Sequence, residues 1–255
     1  MQSMAYFSVI LERIFVLQEK GDSWESDIGD FHLNSNADEE ANTNHQINIH
    51  VYDDPTQDPM YDQKQDLLNE CKNLLGTTLP GKRPLNIAVL GPPGCGKSAF
   101  LNTVFASLSN DRWIEHARHG SFSSNGKQVT RRLKSFTKEV YYSEKDNLLF
   151  PTFIDMTGFE NEISKLNNEL LNIILKGKLE ENENLSDVVQ FGKKYGEKAL
   201  RLKYNSRPVY KRVDRIIAVC SCNPFSVLPV YLFDMIAEIA SNRGKFNMLV
   251  RCLRR

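Results

Sequence analysis

The sequence predicts an α/β domain of three layers, a mostly parallel sheet between two layers of helices. Two observations predict it. From Leu85 onward, short apolar runs alternate with segments of helical spacing. Such alternation needs a crossover between strands and covers both faces of a parallel sheet. Between the first strand and the first helix of this series lies Gly91-Pro92-Pro93-Gly94-Cys95-Gly96-Lys97-Ser98, whose glycines and prolines mark a tight strand-to-helix turn. The composition agrees. With 41% of residues apolar and 25% charged, a sizeable core is available and a largely ordered chain is expected.

Taken in order, Leu85–Leu90 reads as a short buried strand and Lys97–Leu108 as a helix. Arg112–Gln128 is polar, carries Gly120 and Gly126, and reads as a long loop. Leu133–Tyr142 and Phe150–Asp155 read as strands, and Ile163–Leu175 has helical spacing through Ile163, Leu166, Leu170, Leu171, Ile174 and Leu175. Gly177–Lys211 is polar and basic, an insertion. Val213–Cys222 reads as a buried strand, Leu228–Ala240 as a helix and Phe246–Val250 as a last strand. Ahead of the first strand, Leu67, Leu68, Cys71, Leu74 and Leu75 give Asp58–Leu75 helical spacing that stops at Gly76.

The charge is segregated although the net charge is zero. Eleven Asp and Glu residues and no Lys or Arg lie between Gly21 and Gln63, so the chain from Lys64 onward carries +11. Three units are therefore expected: a strand-like segment at 1–20, an acidic flexible linker at 21–57, and a nucleotide-binding domain at 58–255. Tyr6–Gln18 is rich in β-branched and aromatic residues, as the remnant of another domain would be. The apolar run Ala5–Leu17 is interrupted by Glu12 and Arg13 and falls short of the ~20 apolar residues that span a bilayer. The five cysteines have no metal-ligand spacing, which suits a reducing compartment. A soluble, cytoplasmic protein is expected.

The run from Gly91 to Ser98 matches G-x-x-x-x-G-K-S without a gap. Glycines let successive backbone N–H groups converge on phosphate oxygens, and the following helix points its positive end at the same place. Gly91, Pro92, Pro93, Gly94, Cys95, Gly96, Lys97 and Ser98 are thus the expected phosphate-binding residues. Lys97 would meet the β and γ phosphates, and the Ser98 hydroxyl would hold Mg²⁺. This is the loop of phosphate-loop nucleoside triphosphatases. Downstream, Asp155-Met156-Thr157-Gly158 closes an apolar strand. By this reading the Asp155 carboxylate would hold Mg²⁺ through water and the Gly158 N–H would meet the γ phosphate. The Gly-Pro-Pro-Gly loop also occurs in ring-forming ATPases, but those follow the strand-end Asp with Glu, and here Met156 follows. GTP is the favoured nucleotide, and ATP stays open.

These segments resemble the G domain of the interferon-induced protein 44 family. The resemblance runs from about Asn86 to Val250 and includes NIAVLGPPGCGKSAFLNTV, PTFIDMTGFE, LLNIILKGKLEENENL and VDRIIAVCSCNP. It implies a GTP-binding, switch-type protein of the interferon and immune response with weak GTPase activity. It also matches Thr130 to the switch-loop threonine that approaches Mg²⁺.

Two departures qualify the expectation. Phe159 stands where a hydrolysing GTPase often has a water-orienting Gln, so hydrolysis should be slow unless Glu160, Glu162 or a partner replaces it; no catalytic residue is assigned. The guanine-reading (N/T)-K-x-D motif expected after Phe246–Val250 is missing from Arg251–Arg255, so the domain is expected to be incomplete at its C-terminal end. Two readings compete with the GTP switch, an ATPase and a non-catalytic interaction protein. The basic stretch Lys193–Arg215 reads first as a solvated face, then as a membrane-surface or acidic-arm contact; nucleic acid is not favoured, for no RNA-binding signature accompanies it.

Overall fold

Strand β1 (Asn86–Leu90) has four apolar residues, all of them buried. Successive side chains of a strand point to opposite faces, and here they divide the core in two. Ile87 and Val89 enter one apolar cluster; Ala88 and Leu90 enter the other. Phe153 and Ile154 of β3 (Thr152–Asp155) divide in the same way, as do Ile217 and Ile216 of β4 (Arg215–Ser221). The sheet is therefore covered on both sides. The computed structural model describes residues 61–109, 114–118, 132–143, 145–156, 158–159, 164–221, 228–241 and 247–253.

Among the described residues the sheet has five strands in the order β2-β3-β1-β4-β5, with β2 at Lys134–Phe136 and β5 at Asn247–Leu253. β1 pairs in parallel with β3 and β4, and β4 with β5; β2 runs antiparallel to β3. This is an α/β fold with an open, mostly parallel sheet. Helix α1 (Tyr61–Leu75) reaches the first cluster through Leu68, α2 (Lys97–Leu108) through Phe100, Leu101, Val104, Phe105 and Leu108, and the short α3 (Lys138–Tyr141) through Tyr141. On the other face lie α4 (Lys165–Leu175), α5 (Leu185–Asn205) and α6 (Val230–Ser241).

Two expected strand bounds are corrected, and the insertion is given a structure. Leu133–Tyr142 is not one strand: pairing stops at Phe136 and the chain turns into α3. Tyr141 is the reason. Its ring stacks on Phe105 at 4.7 Å between centroids and its hydroxyl donates to the Pro151 carbonyl at 2.6 Å, contacts that a continued strand would break. The basic insertion Gly177–Lys211 is mostly helix α5, held by Leu185, Val188, Leu200 and Tyr204 in the second cluster. It begins at Asn184, whose side chain accepts from the Ser186 N–H, as an N-cap does. The last strand runs on past Val250 to Leu253, because β4 continues beside it to Ser221.

The strand-like segment at 1–20 and the acidic linker at 21–57 lie outside the described residues. No helix among the described residues is long and apolar enough to cross a membrane.

Candidate functional site

The order of strands reverses at β1, which has β3 on one side and β4 on the other. In open α/β sheets the crevice beyond the carboxyl ends of the strands at such a point is where ligands bind. The loop Gly91–Gly96 occupies it, between β1 and α2. Gly94 and Gly96 adopt φ of 70° and 96°, left-handed values that glycine takes without steric penalty. Gly96 is the N-cap of α2, and no side chain caps that helix; its first turn also holds no acid. The positive helix end therefore faces the loop uncompensated.

Neighbouring backbone closes tightly around the loop. A Cβ on Gly91 would lie 2.1 Å from the Val219 carbonyl oxygen, and one on Gly158 would lie 2.4 Å from the Pro93 nitrogen. The first contact comes from β4, the second from the segment after β3. The Phe159 N–H donates to the Gly91 carbonyl at 3.1 Å and fixes that second approach. The Cys95 thiol donates to the Val219 carbonyl at 3.2 Å. Sequence reasoning gave Cys95 only its place in the motif; its tie to β4 depends on strand order, which no local signal carries.

Lys97 is buried, and its ammonium donates to the Pro92 carbonyl at 2.8 Å and to the Gly91 carbonyl at 3.2 Å. Burial pushes its pKa below the ordinary lysine value, an effect opposed by Cys95 and Asp155. The side chain thus brings a cation into the mouth of the loop. Ser98, one residue on, donates its hydroxyl to Asp155 Oδ2 at 3.0 Å. Asp155 stands opposite Val89 in the β1–β3 register, which is how it arrives beside the start of α2. Its other oxygen, Oδ1, is buried and has no hydrogen-bond partner among the described residues. Burial raises the Asp155 pKa, opposed by the Ser98 hydrogen bond and by Lys97.

An unpartnered buried carboxylate oxygen is costly, and beside a hydroxyl it has the chemistry of a hard-cation ligand. Mg²⁺ is typically held by one or two protein oxygens, with phosphates and water completing its shell. Ser98 Oγ and Asp155 Oδ1 fit that requirement. Among the described residues no three His, Cys, Asp or Glu groups cluster as a self-sufficient metal centre, so the cation would need a ligand that brings its own oxygens.

The structure brings together Gly91 to Ser98, Asp155 and Gly158. Thr130, Glu160 and Glu162 lie outside the described residues. Phe159 differs from expectation. Its position in the sequence is the one from which a water-orienting side chain would reach the γ phosphate; the structure buries its ring, 3% exposed, in the second core cluster with Leu90, Met156 and Ile174. Met156 is buried in the same cluster. Neither protein-family models nor curated proteins give a match to this chain.

Proposed function

We propose that the chain binds a nucleoside triphosphate with Mg²⁺ in the loop Gly91–Ser98 and acts as a switch with at most slow hydrolysis. One observation carries this reading: the loop's Ser98 and the strand-end Asp155 share a hydrogen bond while Asp155 keeps a buried oxygen unpartnered. Lys97 and the N-terminal end of α2 would hold the phosphates. Ser98 and Asp155 would hold the cation, which when bound neutralises phosphate charge. Gly158 allows the segment after β3 to lie against the loop, so that a γ phosphate and the backbone following β3 can influence one another.

GTP is the proposed nucleotide, and this rests on the resemblance to the interferon-induced protein 44 family; a cytoplasmic, immune-response role rests there too. The ATPase reading needs a carboxylate after Asp155, and the residue there is Met156, which is fully buried. Titration of the purified chain with fluorescent GTP and ATP, with and without Mg²⁺, tests the proposal. Tighter, Mg²⁺-dependent binding of GTP is expected. Equal affinities would remove the guanine assignment, and binding of neither would leave the interaction-protein reading.

Asp155 offers a second test. Because folding raises its pKa, the charged form is the one the fold disfavours. The protein gains stability as pH falls through the folded pKa and lacks that gain at neutral pH. Asp155→Asn removes the charge and is expected to melt at a higher temperature at neutral pH while losing the Mg²⁺ dependence of nucleotide affinity. A lower melting temperature with unchanged Mg²⁺ dependence would take Asp155 out of the site.

A further inference from the structure

Strand β2 sets a second lysine beside the candidate cation ligand. Lys134 stands directly opposite Asp155 in the antiparallel β2–β3 register, and residues so opposed put their side chains on one face of the sheet. That face is the one α2 covers, because Phe136 and Phe153, two residues away on each strand, both enter the first core cluster. Lys134 is exposed and has no carboxylate at ion-pair distance among the described residues. Its ammonium donates to the His116 carbonyl at 3.3 Å and lies 4.6 Å from the Phe136 ring centroid. The His116 N–H in turn donates to the Asn102 side chain at 3.1 Å, and Asn102 follows Ser98 on α2 by about one turn. The ammonium is thus held beside α2, about one turn along from Ser98, on a flexible four-carbon stem.

Charge gives this cation a use. Within the site Lys97 and Asp155 offset one another, and a nucleoside triphosphate brings more negative charge than one bound Mg²⁺ cancels. Lys97 and Lys134 are the two lysines whose fields favour the charged form of Asp155. The strand order tells them apart. The phosphate loop follows β1, Asp155 ends β3, and Lys134 lies on β2, beyond β3. A diphosphate held by the loop and Lys97 ends near β1. A third phosphoryl group extends toward the segment after β3, and so toward β2. We propose that Lys134 is a specificity-determining residue that binds the terminal phosphoryl group and selects a nucleoside triphosphate over a diphosphate.

This role rests on nucleotide binding at Gly91–Ser98 and adds the group that distinguishes one nucleotide state from the other. The present hold on the ammonium is weak. A neutral, solvent-exposed carbonyl at 3.3 Å gives way to a phosphate oxygen, whose bond to an ammonium is charge-assisted and about twice as strong. Lys97 differs in being buried, with two loop carbonyls as partners, and serves a diphosphate and a triphosphate alike. Exposed charges are screened over about 8 Å at physiological salt, and buried ones much less. The contribution of Lys134 therefore falls with salt more steeply than that of Lys97.

Calorimetry of the full chain with GDP and with a non-hydrolysable GTP analogue, both in excess Mg²⁺, tests it. Lys134→Met keeps the stem and removes the charge. It is expected to weaken binding of the triphosphate analogue by about fivefold or more, the scale of one charge-assisted contact, while GDP affinity and melting temperature stay as in the unaltered chain. Lys134→Arg should restore most of the triphosphate affinity, and high salt should narrow the gap between Lys134→Met and the unaltered chain. Lys97→Ala, by contrast, should weaken both nucleotides. Equal losses for the two nucleotides in Lys134→Met, or no loss for either, would overturn the role of Lys134 and leave the phosphate loop standing. A lysine that merely holds His116 would move stability and both affinities together. Binding of neither nucleotide by the unaltered chain would remove the proposed function, and this role with it.

Discussion

Lys97→Ala should weaken nucleoside triphosphate binding at least tenfold and leave the fold intact. The ammonium is already buried, with two loop carbonyls as its partners and a pKa lowered by burial. Its removal from water is therefore settled when the chain folds, and an arriving phosphate meets a cation that need not be dehydrated again. Charge-assisted hydrogen bonds are roughly twice as strong as neutral ones. A tenfold change in affinity corresponds to about 1.4 kcal/mol, within what one such contact supplies. Backbone N–H groups and the α2 dipole remain in the variant, so binding falls and does not vanish. Lys97→Met, which keeps the aliphatic stem, should behave like Lys97→Ala and show that charge is what matters. Calorimetry with GTP measures both. Equal affinity in wild type and variants would mean that the loop does not hold phosphate, and the proposed function would fall with it.

Where local periodicity and burial coincide, the sequence is easy to read. β1 and β4 are short runs whose buried positions are apolar, β3 adds only Thr152 and Asp155 to such a run, and α2 follows its glycine turn directly. Asp155 and Ser98 were legible as a pair because two motif fragments each sit at a strand end. Other elements depend on partners that no local pattern announces. β2 looked longer than it is because Val140, Tyr141 and Tyr142 suit a strand, yet Tyr141 is claimed by Phe105 and Pro151. Helix α5 was hidden by its lysines and by Gly196, which interrupts the spacing between Val188 and Leu200. The second strand edge was also invisible: Leu133 exchanges backbone hydrogen bonds with Asn182 and Glu183, so the insertion covers the far side of β2. For the same reason the burial of the Phe159 ring was not legible. A position defined by motif gives the place of the backbone, whereas burial decides where the side chain goes.

Phe159 should therefore behave as a core residue whose backbone serves the site. Its ring sits in the second cluster, and its N–H donates to the Gly91 carbonyl at 3.1 Å. Phe159→Ala should destabilise the domain by about 3–5 kcal/mol, the usual loss for deleting a buried phenyl ring. That is a large part of the ~5–15 kcal/mol that holds most domains together. Phe159→Gln should be similarly damaging, since a buried amide left without partners costs about 1–3 kcal/mol in addition to the lost packing. The glutamine gives no gain in hydrolysis, for its side chain starts in the core and not beside a γ phosphate. Single-turnover phosphate release from the unaltered chain with GTP and Mg²⁺ should be slow, on the order of 10⁻⁴ per second, as in unstimulated small GTPases. Phe159→Leu, which keeps the site apolar, should retain more stability than either variant and the same slow rate. Chemical denaturation and phosphate release together decide the matter. A Phe159→Gln variant that unfolds at the wild-type denaturant concentration and hydrolyses GTP many times faster would put the side chain at the γ phosphate after all, and the burial of Phe159 would then describe only one state of the loop.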